Sequence, residues 1–183
     1  MINPNLISRR GAIAGCALLL IAAVAWAGPA PRNAGEMEVG MMIEVEGRAL
    51  GARMVLADEI EVLRFAGASK FEGAIQAIDA ETKAVTVLGI KVVTSADTRF
   101  EQPGGMPLEF AALKQGQVIE VKGAPGGTDG FAASKLEIVE EMDIRANHAT
   151  LEAQIEEVDA SANSVVMLGV KVKLTPKTEI EAE

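Results

Sequence analysis

The sequence predicts an all-β protein, on three observations. Apolar residues alternate mostly with a period of two, short runs of Gly, Asp and Pro punctuate them, and two long stretches recur further along the chain. Residues 72–100 (EGAIQAIDAETKAVTVLGIKVVTSADTRF) align without a gap on 152–180 (EAQIEEVDASANSVVMLGVKVKLTPKTEI) at an offset of 80. Ile75 falls on Ile155, Asp79 on Asp159, Val85 on Val165, Leu88-Gly89 on Leu168-Gly169, Lys91 on Lys171 and Thr98 on Thr178. Residues 40–62 align on 116–138 at an offset of 76, with Gly40, Ile43, Glu44, Val45, Gly47, Ala57 and Glu61 repeated as Gly116, Ile119, Glu120, Val121, Gly123, Ala133 and Glu137. The chain therefore reads as the second half of a module (36–63), a complete module (72–140) and a first half (149–183), after a leader (1–27) and a linker (28–35).

Within the complete module, a first strand is expected over about 72–79, where Asp79 starts a turn by offering its carboxylate to nearby backbone N–H groups. A second strand is expected from Val85 to Val93. Its inward face changes at Leu88-Gly89, from Val85 and Val87 to Leu88, Ile90 and Val92, which predicts a glycine bulge bending one strand across two sheets. A short third strand falls near Thr98–Phe100. Residues 107–114, with Pro107 leading, suit one or two helical turns. Strands at 117–122 and 131–139 follow, joined by the turn-rich GAPGGTDG. Three strands, a short helix and two strands is the order of a small, five-stranded, partly open barrel of the oligonucleotide/oligosaccharide-binding (OB) type. The terminal halves are expected to assemble a second such barrel, because an isolated hairpin is marginal in water and open edges invite another chain. Closure within one chain, giving a monomer, is expected over strand exchange between chains. An SH3-like barrel or a sandwich is the alternative architecture.

These motifs resemble a family of exported bacterial repeat proteins known only as a domain of unknown function. Its modules pair an "aID…tVtVLGi.V.v…T.f" half with an "lk.Gq.veV.G" half, here AIDAETKAVTVLGIKVVTSADTRF and LKQGQVIEVKG. The resemblance covers the complete module and each terminal half. It implies a fold and an exported location, and no activity. This chain departs from a simple tandem array by beginning and ending mid-module.

Export is also expected from the residues themselves. Residues 1–27 hold no acid, carry Arg9 and Arg10, and continue as an apolar run ending Ala25-Trp26-Ala27, the pattern of a cleaved secretory signal. The run is short for a membrane span, which needs about 20 apolar residues, so membrane contact is expected only through an uncleaved signal. Ile13-Ala14-Gly15-Cys16 resembles a lipoprotein box, but most of the apolar run follows Cys16 rather than preceding it. Ser8-Arg9-Arg10 resembles a twin-arginine signal, without the bulky residues that usually follow. Cleavage after Ala27 removes two arginines and no acid, so the formal charge moves from −9 to −11. It also removes the only Cys and the only Trp. A disulfide is excluded, and the core must be built from Val, Ile, Leu, Ala and Met. About 155 residues suffice for one sizeable core or two small ones.

Nucleophilic catalysis usually needs a His base, and the one His, His148, lies in the segment between modules, where a solvated surface role is expected. No G-x-S-x-G, H-E-x-x-H, P-loop or dinucleotide fingerprint occurs. Asp58-Glu59, Glu140-Glu141 and Glu156-Glu157 are acidic neighbours, but adjacent residues on a strand point to opposite faces and do not converge. Asp79 and Asp159 recur as turn formers. Met37, Met41 and Met42 are soft thioethers that could suit Cu(I), against which core filling is the plainer use. Nucleic acid is disfavoured, since single strands are held by a positive groove with stacking aromatics and this chain is acidic, with Phe65, Phe71, Phe100, Phe110 and Phe131 as the mature aromatics. No catalytic, cofactor-binding or metal-ligating residue is assigned. The expectation is a non-enzymatic exported binding or scaffold protein of the cell envelope whose partner is an envelope protein or a glycan. A subunit polymerising by half-module exchange, and a periplasmic copper carrier, are the alternatives.

Overall fold

A computed structural model describes residues 29–64, 67–126, 130–139 and 147–182. The chain is all-β. Its strands are β1 (Met42–Gly51), β2 (Met54–Leu63), β3 (Ser69–Asp79), β4 (Ala84–Val87), β5 (Ile90–Val93), β6 (Arg99–Gln102), β7 (Met106–Pro107), β8 (Val118–Pro125), β9 (Phe131–Ile138), β10 (His148–Gln154), β11 (Glu157–Asp159), β12 (Ser164–Met167), β13 (Val170–Lys173) and β14 (Glu179–Ala182). Two three-residue 3-10 turns, Ala34–Glu36 and Phe110–Ala112, complete the elements. The second of these is what the expected helix at 107–114 becomes: Pro107 enters β7, and a single turn follows. No helix among the described residues is long and apolar enough to cross a membrane. The leader, including Cys16, and Glu140-Glu141 lie outside the described residues.

Five strands of the central segment close a barrel. β3 pairs with β4, β4 with β5, β5 in parallel with β9, β9 with β8, and β8 back with β3. Within the barrel the long β3 serves two neighbours: Ser69 to Ala74 face β8, and Ile75 to Asp79 face β4, with a register shift between Ile75 and Ala77. Inside lie Phe71, Ile75, Val85, Val87, Val92, Ile119, Val121, Phe131 and Leu136, all buried. The period of two in these strands is thus the alternation of an inward apolar and an outward polar face. Phe71 and Phe131 meet edge to face, centroids 4.9 Å apart.

The bend sits in β3 and not, as the sequence suggested, at Leu88-Gly89. Both Leu88 and Gly89 have positive φ, +52° and +76°, as a two-residue hairpin turn of type I′ requires. Val87 stands opposite Ile90, and β4 and β5 form a tight hairpin rather than one bulged strand. A bulge and a two-residue turn both shift the inward set from odd to even positions, so the pattern alone reads either way. The usual turn residues are Asn, Asp and Gly, and Leu88 hides the turn. It holds that place because it is buried over Gly73, where a Cβ would come within 3.1 Å of the leucine's Cγ and Cδ2. Leu168 and Gly169 make the same turn, with φ of +52° and +65°.

The terminal segments pair with each other within the one chain. β1 pairs with β10 and β2, and β2 runs parallel to both β13 and β14. β12 pairs with β11 and β13. Individual bonds recur at the sequence offsets. Gly116 N–H donates to Ile75 O, and Gly40 N–H to Ile155 O. Ile75 N–H donates to Gln117 O, and Ile155 N–H to Met41 O. The Thr98 hydroxyl donates to Ala133 O at 2.7 Å, and that of Thr178 to Ala57 O at 2.8 Å. One difference is that the stretch equivalent to β3 is divided at Ile155-Glu156 into β10 and β11.

Central and terminal parts join along β3 and β10, where Lys70, Phe71 and Glu72 oppose Glu152, Leu151 and Thr150. A second junction is the tip of the β1–β2 hairpin. Arg53 N–H donates to Leu88 O at 2.9 Å, and Arg53 O accepts from Lys171 N–H at 3.0 Å. One cluster of buried apolar side chains runs through both parts.

Candidate functional site

The residues weighed from sequence do not converge. His148 opens β10, half-buried, with Nε2 at 3.2 Å from the Thr150 hydroxyl. Met37, Met41 and Met42 are buried, and the Met41 sulfur accepts from Glu38 N–H at 3.3 Å, which is core use. Asp79 accepts the N–H groups of Glu81 and Thr82, both at 3.0 Å. Asp159 accepts the Ser161 hydroxyl and Ala162 N–H. Hydrogen bonds to these carboxylates, from Thr82 and from Ser161 and Ala162, hold both below the ordinary aspartate range. Asp58 pairs with Arg48 at 3.4 Å, and Glu156 accepts Gly169 N–H at 2.9 Å. Gln76 does the same for Gly89 at 2.7 Å, so each Leu-Gly turn is tied by the side chain at the equivalent position. Among the described residues no three His, Cys, Asp or Glu stand close enough together to hold a metal.

The outer face of the sheet carries two in-register rows of charge. In the first, Glu181, Glu61, Glu44, Glu152, Lys70, Lys122, Lys135 and Arg99 oppose one another in turn across β14, β2, β1, β10, β3, β8, β9 and β6. In the second, two residues along, the order is Glu179, Glu59, Glu46, Thr150, Glu72, Glu120, Glu137 and Glu101. On the central half the two lysines Lys122 and Lys135 are matched. Lys135 pairs with Glu137, Glu101 and Glu120, and Lys122 with Glu120 at 3.1 Å. The hydrogen bond to Glu137 outweighs burial and, with the charges of Glu120 and Glu101, raises the Lys135 ammonium above the ordinary lysine range. At the junction Lys70 reaches Glu152 at 2.7 Å and Glu44 at 3.4 Å. Burial opposes its charge, but these two carboxylates more than offset it and raise its pKa. On the terminal half both rows are glutamate except at Thr150.

At the β6 end this face runs into an open groove of about 430 Å³. One wall is the end of the β4–β5 hairpin. Lys83 holds a left-handed turn, φ +49°, and the Thr94 hydroxyl donates to its carbonyl at 2.6 Å. The floor is β6, fixed by the Ser95–Thr98 turn, in which Ser95 N–H donates to the Thr98 hydroxyl at 2.8 Å. The other wall comes from the chain folding back. Gly104 and Gly105, φ +83° and +77°, turn it into β7, and Leu108 N–H donates to Phe100 O at 2.9 Å. The following 3-10 turn then sets Phe110 edge to face on Phe100, with centroids 5.9 Å apart. Both rings are half-buried, and both line the groove with Lys83, Arg99 and Glu109. Among the described residues no carboxylate lies within ion-pair distance of Lys83 or Arg99.

The equivalent place in the terminal part is built differently. Lys83, Thr94, Arg99 and Phe100 correspond to Asn163, Leu174, Glu179 and Ile180, and Phe110 to Ala34. There the walls are laced together: Asn163 Oδ1 accepts Ala34 N–H at 3.0 Å, and its Nδ2 donates to Leu174 O at 3.2 Å. Ala34 is fully buried. Sequence reasoning missed this groove. Its signal was the set of positions at which two otherwise matching stretches differ in charge and aromaticity.

Residues 72–137 match the family described as "Domain of unknown function (DUF5666)". No curated protein and no solved structure matches the chain.

Proposed function

We propose that the protein is a non-enzymatic binding and scaffold module of the cell envelope. On this reading it is exported through residues 1–27, works as a monomer, and holds its ligand in the groove beside Phe100 and Phe110. The observation that carries the reading is the contrast between the two equivalent places. The terminal one is laced shut through Asn163 and Ala34, whereas the central one is open and lined by an aromatic pair and two cations with no carboxylate partner among the described residues. The fold works without those residue types, since the terminal part does, so their presence points to a ligand. Pairing of β1 with β10 and of β2 with β13 and β14 in one chain supports a second barrel closed intramolecularly, and with it a monomer. The remaining outer face is charged, suited to supporting the groove rather than enclosing a substrate.

The test is envelope retention. Cells expressing the full chain are fractionated, and the intact mass of the envelope form is recorded. Retention of a form matching residues 28–183, lost on Phe110→Ala in a variant that keeps its β-sheet circular dichroism, is the expected result. Equal retention of the folded variant would sink the binding role of the groove, and an acylated Cys16 would sink the processing.

A further inference from the structure

We infer that the groove takes a short acidic oligosaccharide, a ligand class that rests on the binding reading above and goes beyond it. The volume, about 430 Å³, lies within the range of small-molecule sites, about 300–1,000 Å³. Three features select the chemistry. Lys83 on the wall and Arg99 on the floor both line the groove with no carboxylate partner among the described residues, so an incoming anion gains charge-assisted hydrogen bonds without breaking an ion pair. Phe100 and Phe110 present half-buried rings, whose negative faces attract the C–H face of a pyranose. At the wall the Thr94 hydroxyl, which already donates to Lys83 O, can accept from a sugar hydroxyl, and the Ser95 hydroxyl, which already accepts Asp97 N–H, can donate to one.

The alternatives fit less well. A fatty acid needs an enclosed apolar channel, whereas this groove is open and has a charged rim. A single nucleic-acid strand needs a continuous positive track. Here the groove holds Glu101 and Glu109 and is continued by rows in which glutamates outnumber cations, so successive phosphates would be repelled. A carboxylated sugar carries charge at one or two points and places it against two cations.

The mature chain, residues 28–183, is titrated with trigalacturonate, maltotriose and a short oligothymidylate, with binding read by calorimetry and by NMR shifts of Phe100 and Phe110. The test variant is Lys83→Asn with Arg99→Gln. It puts the terminal part's own residue at the first position and removes an exposed charge at the second, so folding is retained. Trigalacturonate is expected to bind and to shift both rings. The double variant is expected to weaken it at least tenfold, and maltotriose to bind at least tenfold more weakly than trigalacturonate. The inference is overturned if wild type fails to bind trigalacturonate at millimolar concentration, if the double variant binds within twofold of wild type, or if either other probe binds as tightly. Should trigalacturonate fail while Phe110→Ala still abolishes envelope retention, the ligand class is wrong and the binding role stands. Should retention be unchanged as well, both fall.

Discussion

Phe71 and Leu151 stand directly opposite each other across β3 and β10, and each immediately precedes one of the two stretches that align at an offset of 80. The flanking pairs exchange in the same way: Glu72 opposes Thr150, and Lys70 opposes Glu152. The contact between central and terminal parts is therefore isologous, of the kind that joins a symmetric dimer, but contained in one chain.

Leu151 is fully buried at that pseudo-symmetry axis. Leu151→Ala is expected to cost about 2–5 kcal/mol through lost transfer energy and the cavity left behind. Because the core is continuous through both parts, urea denaturation should show one cooperative transition moved to lower denaturant. Two separate transitions, one at the wild-type midpoint, would show that the parts fold independently.

Gly89 is held at φ +76°, and a Cβ there would lie 2.8 Å from Arg53 Cγ and 3.0 Å from Arg53 N. Gly89→Val should destabilise by about 1–3 kcal/mol, combining left-handed strain with displacement of the hairpin tip. Gly89→Asn, which tolerates that φ better, should cost less. Thermal melts of the two variants check the order.

Asp79 and Asp159 have carboxyls held below their ordinary range by hydrogen bonds from Thr82 and Glu81 and from Ser161 and Ala162. A depressed folded-state pKa contributes stability that is fully present above the unfolded value and is lost as pH falls through the folded one. Asp79→Asn combined with Asp159→Asn should therefore flatten the acid limb of stability that opens as pH falls below about 5, toward the ordinary aspartate range. Urea midpoints across that range measure it. An acid limb as steep as that of wild type would contradict the assignment.

Deleting residues 149–183 removes β11–β14 and nearly all of β10, and so strips β1 of one neighbour and β2 of two. The remaining hairpin would expose Ile43, Val45, Val55 and Ile60, all fully buried in the intact chain. Aggregation on size exclusion, or rapid proteolysis within 36–63, is expected. A monomer with that hairpin fully protected would mean that the terminal segments do not complete one another.

The sequence by itself determined the all-β class and the internal correspondences, because inward side chains repeat every second residue and equivalent strands need equivalent apolar faces. It placed the Asp79 and Asp159 turns correctly, since an aspartate capping its own turn is a local interaction. It misread Leu88-Gly89 as a bulge where the chain makes a hairpin turn, because both shift the inward set by one residue. Only the packing of Leu88 over Gly73, a contact between residues far apart in the chain, decided that a leucine would occupy a turn position. The groove was likewise a tertiary outcome. Lys83, the Arg99-Phe100 pair of β6 and Phe110 sit on separate elements and share no periodicity. Gly104-Gly105 must first reverse the chain, and Leu108 must bond back to Phe100, before the two rings meet and the two cations face one space.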